Sequence, residues 1–68
     1  MTDTKMLLSI MEDKKITKVA LAAHLGLSRQ GLDNKFNNKS EFKQSEIEKI
    51  TNLLELSREQ EKDIFFAA

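Results

Sequence analysis

Few residues of this chain could do covalent chemistry on a substrate. His24 is the only histidine and cysteine is absent, so no Ser/His/Asp or Cys/His set can be assembled, and one imidazole without a second ligand makes no metal site. No glycine-rich phosphate loop is present either. The chain therefore reads as a non-enzyme with no metal and no cofactor, and His24 as a surface or helix-end residue. The stretch Thr17-Lys-Val-Ala-Leu-Ala-Ala-His-Leu-Gly-Leu-Ser-Arg-Gln-Gly-Leu-Asp-Asn-Lys-Phe36 is more informative, because two short helices joined by a glycine turn can be read from it. Leu21, Ala22 and Leu25 share one helical face, Gly26 ends that helix, Ser28 caps the next, and Leu32 and Phe36 turn inward. This is a helix-turn-helix pattern, a unit that usually meets DNA.

The elements that must position these residues are five helices with no strand. Helix one is expected from about Asp3, as its cap, to Asp13, with Leu7, Ile10 and Met11 on one stripe. Lys14-Lys15 makes the next turn. Thr17 caps helix two, which runs to Leu25, and helix three runs from Ser28 to about Asn37. After the loop-like Asn38-Lys39-Ser40, Phe42 plugs the core and helix four covers about Gln44 to Leu54, with Ile47, Ile50, Leu53 and Leu54 at helical spacing. Helix five follows Ser57, where Ser57 and Gln60 have the spacing of a capping box. Two glycines and no proline suit an all-α bundle with short turns.

A chain of 68 residues reads as a single domain over 1–68. At that size only about 60% of the unfolded surface is buried, and without disulfides the core supplies about 3–5 kcal/mol, so a partner copy would help. No apolar run approaches the roughly 20 residues of a membrane span, and Met-Thr-Asp-Thr-Lys is unlike a signal peptide. The expected location is cytoplasmic, without a membrane partner or a small-molecule ligand. Eleven basic and eleven acidic residues cancel, but unevenly. Residues 1–13, 14–43 and 44–68 carry −2, +5 and −3. The helix-turn-helix pattern lies in the positive block, as expected of a polyanion-binding surface.

The residues Ile16-Thr17, Leu21-Ala22, Leu25-Gly26-Leu27-Ser28-Arg29-Gln30 and Leu32, then Phe42, Ile47, Ile50 and Leu54-x-Leu56-Ser57, resemble the Cro/phage-repressor (XRE-type) family of helix-turn-helix regulators. The resemblance covers nearly the whole chain. Its most specific elements are Ala22 four residues before Gly26, apolar residues flanking that glycine, and Leu32 six residues after it. Lys35 departs from the family, standing where many members have an apolar or aromatic residue. Lys43 stands where helix four often begins with Thr or Ser.

The resemblance implies a compact five-helix, lambda-repressor-like DNA-binding domain and a transcription regulator of a bacterial host, with a phage or mobile-element origin. It also implies a double-stranded DNA operator as partner, read in the major groove by Ser28, Arg29, Gln30, Asp33 and Asn34. Arg can take guanine O6 and N7, and Gln or Asn adenine N6 and N7, each good pair discriminating by about 1–3 kcal/mol. Gly31 would let helix three approach the groove wall. Asp33 could accept from cytosine N4 or pair with Arg29, and the ion pair is favoured. Phosphate contacts are expected from Thr17 and Lys18 at the start of helix two and from Asn37, Asn38, Lys39 and Ser40, with Lys35 and Lys43 as further candidates. The plain alternative for each is a cap or a solvated lysine.

The apolar end Ile64-Phe65-Phe66-Ala67-Ala68 supplies a second clue. Adjacent helical residues point about 100° apart, so both phenylalanines cannot easily enter one small core. Either one folds back over helices one and five, or Ile64, Phe65 and Phe66 build a homodimer or partner-repressor interface. Two functions follow: a DNA-binding regulator, or a modulator or antirepressor that acts on a repressor protein.

Overall fold

The computed structural model describes residues 1–66; Ala67 and Ala68, the last two residues of the apolar end, lie outside the described residues. The order is α1 (Thr4–Asp13), α2 (Lys18–Leu25), α3 (Arg29–Phe36), α4 (Gln44–Leu54) and α5 (Arg58–Phe65). Among the described residues there is no strand, and no helix is long and apolar enough to cross a membrane.

The helices begin where side-chain oxygens can take their unpaired amides. Asp3 accepts from Met6 N, Thr17 from Ala20 N and Ser28 from Gly31 N, at 3.1, 3.1 and 3.0 Å. Ser57 and Gln60 form the reciprocal box, at 3.1 and 2.9 Å. α4 starts differently. Lys43 stands at its N-cap, and an ammonium has no acceptor to offer, so only half a box forms: Lys43 N donates to Glu46 Oε1 at 2.7 Å.

α2 ends on Gly26, whose φ of 70° favours a residue without a Cβ. Leu27 N then returns to Ala22 O at 2.9 Å, closing the turn. Asp3 N donates to Ile64 O at 2.7 Å, tying the start of the chain to α5. Leu7, Leu21, Leu32, Ile50, Leu54 and Ile64 are each fully buried, so every helix contributes to one core cluster. Phe42 enters it from the α3–α4 segment, edge-on to Phe36 and Phe65 with ring centroids 6.1 and 5.6 Å away.

The two phenylalanines at the end of α5 part company. Phe65 is 6% exposed and Phe66 57%, as their 100° separation requires. Ile64 and Phe65 are therefore core residues. Of the three residues expected at an interface, Ile64 and Phe65 are withdrawn because they pack α5 onto α1 and α4, and Phe66 is the one left exposed.

Candidate functional site

α3 sits on the core through Leu32 and Phe36 and turns its polar face outward. Ser28, Arg29 and Gln30 are exposed, and Asp33 and Asn34 are half-buried. Gln30 Nε2 donates to Asn34 Oδ1 at 3.1 Å. The two amides, one turn apart, are thus held side by side, leaving Gln30 Oε1 to accept and Asn34 Nδ2 to donate.

The expected Arg29–Asp33 ion pair does not form. Among the described residues the ion pairs are Lys14–Glu55 at 3.8 Å and Lys35–Glu46 at 2.9 Å. An exposed pair gains little beyond the entropy of holding two side chains, and the guanidinium stays unpaired at the first helical residue. Gly31 has a local reason to be small. A Cβ there would lie 3.2 Å from Ser28 Oγ, the atom that caps α3.

Lys18, the first residue of α2, is half-buried, and its Nζ stands 5.0 Å from the centroid of the Phe36 ring. A cation at a helix N-terminus works against the helix dipole; here the ring face offsets that cost. The contact brings the start of α2 to the end of α3, next to Asn37. Thr17, Asn37, Lys39, Ser40 and Lys43 are exposed, and His24 is exposed in the last turn of α2.

Two loop and helix-end candidates have other partners. Asn38, in the left-handed region at φ 58°, accepts from Thr2 N at 3.1 Å and donates to Thr2 O at 3.4 Å, so its amide holds the start of the chain. Lys35 requires a correction. It is 7% exposed, and its Nζ donates to Glu41 O and meets Glu46 Oε1, each at 2.9 Å, beneath the Phe42 ring at 5.7 Å. That ammonium is buried with two of its three N–H groups engaged, and is out of reach of a phosphate. Its loss reduces the surface charge of the 14–43 block from +5 to +4.

Glu46, the partner of Lys35, escaped the sequence reading. It is 6% exposed. Burial pushes its pKa up, but the Lys43 N–H, the Lys35 hydrogen bond and charge, and the Lys43 charge together bring it below its ordinary 4.5. The signal was present: Glu46 follows Lys43 by the three residues of a capping box, disguised by a lysine where Ser or Thr is usual.

A second surface lies at the C-terminal end of α5. Met1 and Phe66, 78% and 57% exposed, rim a hollow of about 290 Å³ floored by Phe42, Ile47 and Phe65. No curated protein matches the chain. A family sequence profile does match it, over residues 2–68, and the chain belongs to the DUF739 family of proteins of unknown function.

Proposed function

We propose that the chain is a sequence-specific regulator that binds duplex DNA, with α2 and α3 as a helix-turn-helix and α3 as the helix laid in the major groove. The observation that carries this reading is the outward face of α3. Arg29, Gln30 and Asn34 present donors and acceptors on a helix anchored from behind by Leu32 and Phe36. Arg29 suits guanine O6 and N7. Gln30 suits adenine, its oxygen accepting from N6 and its amide donating to N7. Asn34, with its oxygen engaged by Gln30, is left as a donor to base acceptors. Thr17 and Lys18 at the start of α2, with Asn37, Lys39, Ser40 and Lys43 after α3, supply the phosphate contacts that position the helix. The assignment of roles follows the resemblance to Cro and phage repressors.

The test pairs two variants. Arg29→Ala with Gln30→Ala removes two base-reading side chains, each worth about 1–3 kcal/mol, and should abolish preference for the selected sequence while leaving weak non-specific binding. Lys39→Ala should weaken binding to every duplex alike and lower the slope of log K against log salt by about 0.9. Unchanged affinity in the first variant would remove α3 from the interface.

The exposed Phe66 and Met1 favour a second reading, in which the chain modulates a repressor protein by docking through that apolar end. Phe66→Ser would then abolish partner binding with the α3 face untouched.

A further inference from the structure

The segment from Asn37 to Lys43 is the longest stretch between helices, and besides Asn38, whose amide is engaged by Thr2, it carries four exposed phosphate candidates: Asn37, Lys39, Ser40 and Lys43. Such a loop would ordinarily lose its freedom only on binding, at a cost in affinity. Here it is pinned from the inside. Lys35, in the last turn of α3, reaches forward to three stations of the segment and the helix after it: the Glu41 carbonyl at 2.9 Å, the Phe42 ring face at 5.7 Å and the Glu46 carboxylate at 2.9 Å. Glu46 in turn holds Lys43 N at 2.7 Å. Upstream, Lys39 N donates to Asn34 O at 2.8 Å and Asn38 is clamped to Thr2. Ser40 N also donates to Asn34 O, at 3.4 Å, so the first half of the segment is held by Asn34 and Thr2 and the second half, from Glu41 to Lys43, by Lys35 and Glu46.

Stability alone does not account for the pair. Burying two charges costs about as much as their attraction returns, and well-packed apolar residues of similar volume often do as well or better. What apolar residues would lack is direction: a methyl group cannot hold the Glu41 carbonyl, and Lys43 N would lose its acceptor.

We propose that Lys35 and Glu46 are positioning residues that hold segment 37–43 in one conformation, so that Lys39, Ser40 and Lys43 meet the phosphate backbone already arranged. The proposal rests on the DNA-binding reading for its phosphate half; the ordering of the segment can be measured without DNA.

The experiment uses the full chain with Lys35→Met and Glu46→Gln together. The double variant leaves no buried charge at the site and keeps an amide oxygen for Lys43 N. Backbone order parameters of residues 40–42 in the free protein should fall from about 0.85 to below about 0.6, while α3 and α4 stay rigid. Affinity for duplex DNA should fall about tenfold, with an unchanged salt slope, because neither residue touches phosphate. Lys35→Arg, which keeps a cation and several donors, should restore much of both. Should the double variant unfold, Lys35→Gln with Glu46→Gln, which also leaves no buried charge and keeps an amide donor for the Glu41 carbonyl, carries the same test with a smaller change in the same direction.

An ordered segment with undiminished affinity would overturn the proposal, whatever happens to the melting temperature. A slope lowered by about 0.9 would overturn it differently, by making Lys35 a direct phosphate contact. If the wild-type chain binds no duplex, the DNA reading fails and takes the phosphate half with it, and the order parameters alone decide whether the pair orders the segment.

Discussion

Lys35 and Glu46 illustrate how much of a residue's role lies in its position rather than its type. Leu32, Lys35 and Phe36 stand at the i, i+3, i+4 spacing of a buried helical stripe, and Glu46 is followed by Ile47 and, one turn on, by Ile50 on the inner side of α4. Both charges were placed on core faces by the sequence itself. Their type suggested solvent, and only the structure sets them 2.9 Å apart. The pair has a consequence for acid stability. The folded pKa of Glu46 lies below its ordinary 4.5, so its contribution is fully present above that value and is lost as pH falls through the lower folded value. Urea midpoints measured from pH 7 to pH 3 should therefore fall more steeply for the wild type than for Glu46→Gln, and parallel curves would show that the carboxylate contributes nothing. Arg29 and Asp33 teach the opposite lesson: correct spacing for an ion pair does not make one form where both side chains can be hydrated.

At the scale of elements, the helix starts were the most legible part of the chain. Asp3, Thr17, Ser28 and Ser57 could be read as caps because each is a short oxygen-bearing side chain just ahead of an apolar periodic run, and each takes an amide in the structure. The turns were less legible. Gly26 announces its left-handed φ, but Lys15 and Glu55 adopt φ values of 58° and 53° that nothing in their side chains foretells. Ser28 matters twice, as the cap of α3 and as a candidate base contact. Ser28→Ala should cost about 1 kcal/mol and Ser28→Gly only a few tenths. For a domain of this size the first corresponds to a melting temperature about 4–8 °C lower, measurable by calorimetry without DNA. A larger loss of DNA affinity than of stability would separate the second role from the first. Gly31→Ala should recover less than the usual ~1 kcal/mol of helix propensity, since its methyl group would crowd Ser28 Oγ at 3.2 Å.

At the scale of the whole molecule, size and charge set what one copy can do. The chain measures 28 × 25 × 20 Å, whereas half-sites of a two-fold operator lie about 34 Å apart. On the proposed reading one copy would cover one half-site, and a second would have to bind alongside to cover both. Phe66 is the exposed aromatic available for such a contact, and the structure separates it from its neighbour. Phe66→Ser should leave the melting temperature nearly unchanged while lowering cooperative binding or partner capture, whereas Phe65→Ala should cost about 3–5 kcal/mol as a core truncation. Identical cooperativity before and after Phe66→Ser would leave the apolar end without a role in assembly.

The central claim is that α3 reads duplex DNA, and it is tested most directly by fluorescence-anisotropy titration of the wild-type chain over a salt series. The two probes are the duplex flanking its own gene and an unrelated duplex of equal length. The account predicts saturable binding that favours the flanking duplex by about a thousandfold or more, with affinity for both falling as salt rises. Equal, weak and salt-sensitive binding to the two duplexes would contradict it and transfer the function to a protein partner.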